Sequence, residues 1–446
     1  MNLIRYYIFL IFLNTIISFS LAQTNQINQN EIIIDDPIGL AKSLISDQKY
    51  EQAIVLLETL LGFEGASKQF YFIETSMLLA DVWVKTQNFD KSIRIYQNIL
   101  TIDPGHSAAR IELAAIFRLL GRHELALFHL ELTDISQLPN QLQKSVMGYI
   151  GWYKGREGWS QNIKFAIAPD SNINSATEND AVYLYGMQFD LSDDAQKTSG
   201  TGLQLGGGTT YTKSVGKKNF IDLSLSGEFI FYPSNTAFNQ GTGILRIGPR
   251  HEIDQNKNIN LYLQSFIQRF GNRTYSKGIG LETSFRTKIG LQKALQVSFS
   301  GLKINNHFDE SRNGKRYNID TSFRYYFKGR GYSNFQLGLI NASLESAALS
   351  SLDYYIGTGV YYQFSQGISA SINSQYLRAN YKKNWGAFGK KRLDDRVYLS
   401  VDFTKRDIQI FGFAPVLNFT AIKNFSNISL FEYTRFRSNF SFTKYF

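Results

Sequence analysis

Val397-Tyr398-Leu399-Ser400-Val401-Asp402-Phe403 places Val397, Leu399, Val401 and Phe403 on one register and Tyr398, Ser400 and Asp402 on the other. Successive side chains of an extended strand point to opposite faces, so this segment is a strand with one apolar and one polar face. Ile221-Asp222-Leu223-Ser224-Leu225-Ser226 and Leu295-Gln296-Val297-Ser298-Phe299-Ser300 alternate in the same way. A soluble sandwich would hide such apolar faces against each other, whereas a membrane barrel turns them toward lipid. Strand length separates the two. The stretches 240–252, 315–327, 352–364 and 367–381 run 13 to 15 residues. Sandwich strands run to about 5–6 residues, while a tilted membrane-spanning strand needs about 9–11. The pattern predicts a barrel.

Working outward in both directions, about fourteen such segments can be traced. They start near residues 162, 202, 219, 240, 258, 274, 291, 315, 332, 352, 367, 391, 408 and 431. An even count agrees with bacterial single-chain barrels. Gly329-Arg330-Gly331 and Ser365-Gln366 read as short periplasmic turns, and 177–200 and 379–390 as longer external loops. In the last segment Phe436, Phe440, Phe442 and Phe446 share one register, while Arg435, Arg437, Asn439, Ser441 and Thr443 share the other. A terminal strand of this kind, ending in Phe, resembles the signal read by the bacterial outer-membrane barrel assembly machinery. That resemblance makes Phe440, Phe442 and Phe446 the expected assembly signal.

Composition is consistent with this reading. Tyr 26, Phe 35 and Trp 4 make the chain 15% aromatic, as interfacial girdles require. There is no cysteine, which excludes disulfides, thiolate metal sites and an N-terminal lipid-modified Cys. The net charge of +10 comes from dispersed Lys and Arg, so anionic lipid headgroups or an acidic passenger are expected rather than nucleic acid. At the start, Arg5, the apolar run 6–17 and Ser20-Leu21-Ala22 read as an export signal over residues 1–22. Cleavage is expected between Ala22 and Gln23.

Between signal and barrel, residues 37–153 carry a helical period. Small residues recur at Ala41, Ala80 and Ala114, and twelve residues after each stands Ala53, Ser92 or Ala126. Four further on come Leu57, Tyr96 and Leu130. The second and third units are offset by 34 residues, the tetratricopeptide period. The first is longer, with the surplus placed at Gly62-Phe63-Glu64-Gly65-Ala66. A small residue in each helix lets its antiparallel partner approach, and the larger one fills the space beside it. Asn88-Phe89-Asp90 opens a helix that Asp103-Pro104-Gly105 ends, and 141–153 reads as a further helix leading into the barrel. The expected architecture is therefore a multidomain α + β chain: tetratricopeptide-like repeats over 37–153, then an antiparallel transmembrane β-barrel over 158–446.

No chemistry stands out. Gly206-Gly207-Gly208 precedes Thr212-Lys213-Ser214 but lacks the Gly before Lys and the βα unit of a phosphate-binding loop. Asp170-Ser171-Asn172-Ile173-Asn174 opens like a calcium loop, yet its sixth position is Ser175 and its twelfth Ala181. The five His residues lack metal-ligand spacing. No enzyme, metal or cofactor is expected.

The junction supplies the family. Gly158-Trp159-Ser160 leads through a strand into Pro169-Asp170-Ser171-Asn172-Ile173-Asn174. This resembles the surface lipoprotein assembly modulator (modifier) family, whose barrel begins with a strand running into Pro-Asp-x-Asn-x-Asn. The order signal, repeats, barrel agrees with that family over nearly the whole mature chain. On this resemblance Trp159, Pro169, Asp170, Asn172 and Asn174 are the family motif. The residues themselves allow Asp170, Asn172 and Asn174 either to recognise a ligand or to form Asx turns that close the first strand. The resemblance implies an outer-membrane translocator carrying lipoproteins, or related soluble ligand-binding proteins, to the cell surface. A polysaccharide-export or diffusion porin with an accessory repeat domain is the alternative.

Overall fold

The computed structural model describes residues 36–62, 69–154, 156–327 and 329–444, together with the two-residue strands Tyr7–Ile8 and Ile32–Ile33. Ala22, Gln23, residues 63–66 and Phe446 lie outside the described residues. Among the described residues seven helices come first: α1 (Pro37–Ser46), α2 (Tyr50–Gly62), α3 (Gln69–Lys85), α4 (Phe89–Ile102), α5 (Ser107–Leu119), α6 (His123–Glu131) and α7 (Asn140–Lys154). Local chemistry sets the first boundary. Asp36 accepts the Gly39 N–H at 2.8 Å and Pro37 opens the helix, a residue whose missing N–H costs nothing there. All nine residues of the repeat pattern are buried: Ala41, Ala53, Leu57, Ala80, Ser92, Tyr96, Ala114, Ala126 and Leu130. Ser92 donates to the Ala80 carbonyl at 3.0 Å, so the one hydroxyl among the small residues has a partner at the helix contact. The arrangement is tetratricopeptide-like.

The chain forms two compact units, residues 1–99 and 100–446. The first has its own core of Ala41, Ala53, Leu57, Leu79 and Val82. The second contains the last turn of α4, helices α5 to α7 and the barrel. The change from helix to strand after α7 is thus not a boundary of compactness.

Fourteen antiparallel strands close the barrel: β1 (Gly158–Asp170), β2 (Gly200–Ser214), β3 (Asn219–Phe231), β4 (Gln240–Asp254), β5 (Lys257–Phe270), β6 (Arg273–Ile289), β7 (Lys293–Asn306), β8 (Gly314–Phe327), β9 (Gly331–Leu344), β10 (Ser351–Gln363), β11 (Ile368–Trp385), β12 (Lys390–Lys405), β13 (Ala414–Ser426) and β14 (Tyr433–Thr443). Each pairs with its sequence neighbour, and β14 returns to β1. Val397, Leu399 and Phe403 are exposed on the outer face. From the inner face Asp402 accepts hydrogen bonds from Ser371 Oγ (2.6 Å) and Asn418 Nδ2 (2.8 Å). Exposed leucines and isoleucines around the wall form the surface that lipid would cover.

Two boundaries differ from the sequence reading. β11 runs on to Trp385, so 379–385 is strand and the loop shrinks to 386–389. Asn380-Tyr381-Lys382-Lys383-Asn384 lost its apolar face because the strand there has left the apolar band, and a bulge between Asn380 and Asn384 breaks the period. β13 starts at Ala414 rather than near Ile408, because Ile408 and Ile410 belong to a turn in which Phe411 and Gly412 adopt positive φ.

Candidate functional site

The turns at one end of the barrel are fastened to the helices of the same unit. The last turn of α4 leaves carbonyls without intrahelical partners and has no basic residue of its own to cover them. Barrel turns supply the donors: Arg406 Nη1 reaches the Leu100 carbonyl at 3.0 Å, and the Gly367 N–H reaches Thr101 at 3.4 Å. The same guanidinium holds the Phe364 carbonyl through Nη2 at 2.6 Å. Just beyond the helix, Asp103 accepts from Arg330 Nη2 at 3.1 Å, in the turn between β8 and β9. That turn also needs its glycine. Gly329 has φ +64°, and a Cβ there would stand 3.2 Å from Asp134 N and the Leu132 carbonyl.

Arg110 is the centre of this contact. His106 Nδ1 accepts the Ala109 N–H at 3.1 Å and starts α5, whose buried stripe is Ala109, Leu113, Ala114, Ile116 and Phe117. Arg110 lies in that stripe, fully buried. It donates twice to the Pro104 carbonyl, at 3.1 and 2.7 Å, and once to Gln363 Oε1 at 2.5 Å, at the end of β10. Burial lowers its pKa to about 10, against the opposing pull of Tyr361, so it stays charged at neutral pH. Burying a charge this deep is costly unless its donors are engaged; Nε and Nη2 are, while the buried Nη1 has no partner among the described residues.

His129 on α6 is buried beside it, stacked on Phe117 at 5.5 Å. Burial, and then the charges of Arg110 and Arg406, hold its pKa well below the ordinary 6.5. The neutral ring is therefore the folded form. A depressed folded pKa contributes stability that is complete above 6.5 and lost as pH falls toward the folded value. The thermal midpoint of helix unfolding, followed by far-ultraviolet circular dichroism, is expected to drop between about pH 7.5 and about pH 5. His129→Phe should remove most of that drop. The remainder should come from His106 and His123, which burial also lowers.

At the opposite end of the wall lies Pro169-Asp170-Ser171-Asn172-Ile173-Asn174, where β1 meets β14. Asp170 and Asn172 are buried. Arg435 of β14 grips the Asp170 carboxylate, with Nε at 2.9 Å and Nη2 at 2.5 Å from Oδ2, and its Nη1 donates to Ser175 Oγ at 3.0 Å. Asp170 Oδ1 also accepts the Asn172 N–H at 2.9 Å, an Asx turn. Asn172 Nδ2 donates to the Ala176 and Thr434 carbonyls at 2.8 and 3.1 Å. Asn174 Nδ2 donates to Gln196 O at 2.6 Å, and its Oδ1 accepts Thr198 N–H at 3.2 Å. Ser171 exchanges two hydrogen bonds with the Phe436 backbone. The motif is a clasp between the first and last strands. Trp159, at the other end of β1, packs at a tilt against Tyr211 on the outer face, ring centroids 5.0 Å apart.

The clasp closes an otherwise sparse seam. β1 and β14 keep three register pairs, whereas β13 and β14 keep eleven. Among the described residues, 158–165 of β1 pair with β2 alone, and Ile163 is 84% exposed. On β14, Phe436, Phe440 and Phe442 face outward. Beside the clasp, Pro169, Thr201, Leu399, Val401, Phe419 and Phe436 line an outward groove of about 630 Å³. Inside, the wall is polar. Asp222 accepts from Arg250 Nε (2.9 Å), Tyr262 OH (2.7 Å) and Thr212 Oγ1 (2.8 Å), and Arg246 pairs with Glu282 at 2.9 Å.

Sequence reading found the clasp motif but not Arg435 as its partner, and it gave no role to Arg110, Arg330, Gln363 or Arg406. The signal available was Arg110 itself, a charge inside an otherwise apolar helical stripe.

The family described as surface lipoprotein assembly modifier matches residues 159–446. The surface lipoprotein assembly modifier of Moraxella catarrhalis is 22% identical over 348 residues, covering 76% of this chain and 66% of that protein. Surface lipoprotein assembly modifier 1 of Haemophilus influenzae is 22% identical over 379 residues, covering 80% and 74%. The chain thus spans 66% to 74% of the length of these relatives. Among solved structures, the CymD monoaromatic hydrocarbon channel aligns at TM-score 0.35 and 7% identity, over 68% of this chain and 92% of its own. With a family match from the first barrel strand to the last residue, and a closed wall of fourteen strands that is apolar outside and polar inside, this outer-membrane β-barrel belongs to the surface lipoprotein assembly modifier family.

Proposed function

We propose that this barrel moves lipoproteins, or related soluble ligand-binding proteins, from the periplasm to the cell surface. The repeats receive the passenger, and the barrel passes it through or along its wall. The observation that carries this reading is the fastening of residues 100–154 onto the barrel turns through Arg110, Arg330 and Arg406. A binding segment anchored at the mouth delivers what it holds to the wall without a diffusion step. The relatives' name, surface lipoprotein assembly modifier, supports a lipoprotein as passenger.

In this reading the helices stand in the periplasm and the clasped end faces outward. Stacked helical hairpins expose a concave surface suited to an extended chain. Among the described residues, 158–165 of β1 have no backbone partner on the β14 side, so a passenger strand could pair there in passing. No catalytic group or cofactor takes part, and folding of the passenger outside gives the process its direction. The outward phenylalanines of β14 serve insertion by the barrel assembly machinery.

Two deletions test the reading, one of residues 37–99 and one of residues 37–150. Both are expected to abolish surface display of the passenger, scored by antibody or protease on intact cells, while the barrel stays inserted and heat-modifiable. Undiminished display from either would refute the role given to the repeats. Large, always-open conductance in planar bilayers, with display unaffected, would favour a diffusion porin.

A further inference from the structure

On the outer face, at the end of the wall away from the helices, four lysines form one patch. Lys277 of β6 shares its register with exposed Ile279 and Leu281, Lys303 of β7 with exposed Val297 and Phe299, and Lys315 of β8 with exposed Tyr317 and Ile319. Lys303 and Lys315 are direct cross-strand partners, so their Cβ atoms stand about 4.5–5.5 Å apart. Lys277 faces Asn305, the next outward position beyond Lys303. On the far side Ser343 faces Lys315, and Lys382 of β11 reaches over β10 to donate to Ser343 Oγ (3.3 Å) and Asn341 Oδ1 (3.0 Å).

Among the described residues none of these four lysines pairs with a carboxylate, although other wall lysines do, such as Lys213 with Glu157 and Lys423 with Glu432. Like charges directly opposite destabilise a sheet. Repulsion grows where low-dielectric material displaces water, as it does at the border of the apolar band. Among the described residues no carboxylate ion pair neutralises the patch. Ile279 and Tyr317 lie on the same faces only two residues from Lys277 and Lys315, about 7 Å, and Phe299 lies four residues from Lys303. Whatever neutralises the ammonium groups is thus placed to carry acyl chains into that apolar surface.

We propose that Lys277, Lys303, Lys315 and Lys382 bind the phosphate groups of an anionic glycolipid in the outer leaflet. An ammonium group is a compact charge with three donors and suits phosphate oxygens approaching from several directions. The site rests on the membrane-barrel reading and its orientation, and not on any passenger.

The test uses the full chain in detergent. Lipid A with both phosphates, the same lipid enzymatically stripped of phosphate, and inorganic phosphate are titrated in turn, and bound lipid is counted by native mass spectrometry. Phosphorylated lipid A is expected to bind at least tenfold more tightly than its stripped form. Lys303→Gln/Lys315→Gln should weaken it at least tenfold, while the lipid-free double variant unfolds no earlier than the parent because the repulsion is gone. Equal binding by the double variant, or equal binding of the stripped lipid, would overturn the proposal. Displacement of the lipid by equimolar inorganic phosphate would overturn it in favour of a simple anion site. The readout contains no passenger, so loss of surface display in cells and loss of lipid binding are separable results.

Discussion

Asp170→Ala is expected to cost about 3–5 kcal/mol of barrel stability, the usual penalty for leaving one partner of a buried ion pair uncompensated. Among the described residues Arg435 has no other carboxylate partner, and it also donates to Ser175 Oγ. The loss should be read in urea-driven unfolding from lipid vesicles, where the free energy is extrapolated to zero denaturant. Asp170→Ala/Arg435→Met should recover much of it, because an apolar pair of similar volume often replaces a buried ion pair at little cost. The double-mutant cycle then isolates the coupling between first and last strands. Asn172→Ala should cost less, since it exposes neutral groups rather than a charge. Native stability in Asp170→Ala would mean that the three register pairs of the seam suffice alone, and the clasp would lose its assigned role.

The wall was legible because lipid imposes a period of two on every strand that crosses it. Val397 to Phe403 carries the reading alone, and the same logic located fourteen strands in the right order. It failed where lipid stops acting. Beyond the apolar band Lys382 and Lys383 stand on a continuing strand and look like a loop. In the opposite error, Ile408 and Ile410 look like strand but sit in a turn. The repeats were legible for a related reason, since Ala41, Ala53, Ala80, Ala114 and Ala126 must be small at helix contacts.

The site divides in the same way. Asp170 and Asn172 lie two residues apart, so their turn is local chemistry that a sequence displays. The Arg435 contact spans 265 residues, and the Arg110–Gln363 contact spans 253. Pairings at that separation are made by the fold and leave no spacing to read. Only the misplaced charge in α5 marked the place.

Arg110→Ala should release α5 to α7 from the barrel without opening the barrel itself. The substitution leaves the Pro104 carbonyl and Gln363 Oε1 without the donor they share, each a buried acceptor worth about 1–3 kcal/mol when orphaned, and it empties the space of a guanidinium. Because each 1.4 kcal/mol is a factor of ten in an opening equilibrium, protease cleavage within residues 107–154 should accelerate at least tenfold. Heat-modifiability of the barrel should stay unchanged, and surface display should fall with the docked fraction. Arg110→Met separates the two contributions: it refills the volume and removes the desolvated charge, so the helices should resist protease better than in Arg110→Ala while still lacking the tie to Gln363. Exposed Arg94→Ala is the control for loss of charge alone. Helices that remain protease-resistant in Arg110→Ala would show that Arg330 and Arg406 hold them unaided. Helices that come loose while display persists would detach the barrel's work from the repeats, and with it the transfer of a passenger from one to the other.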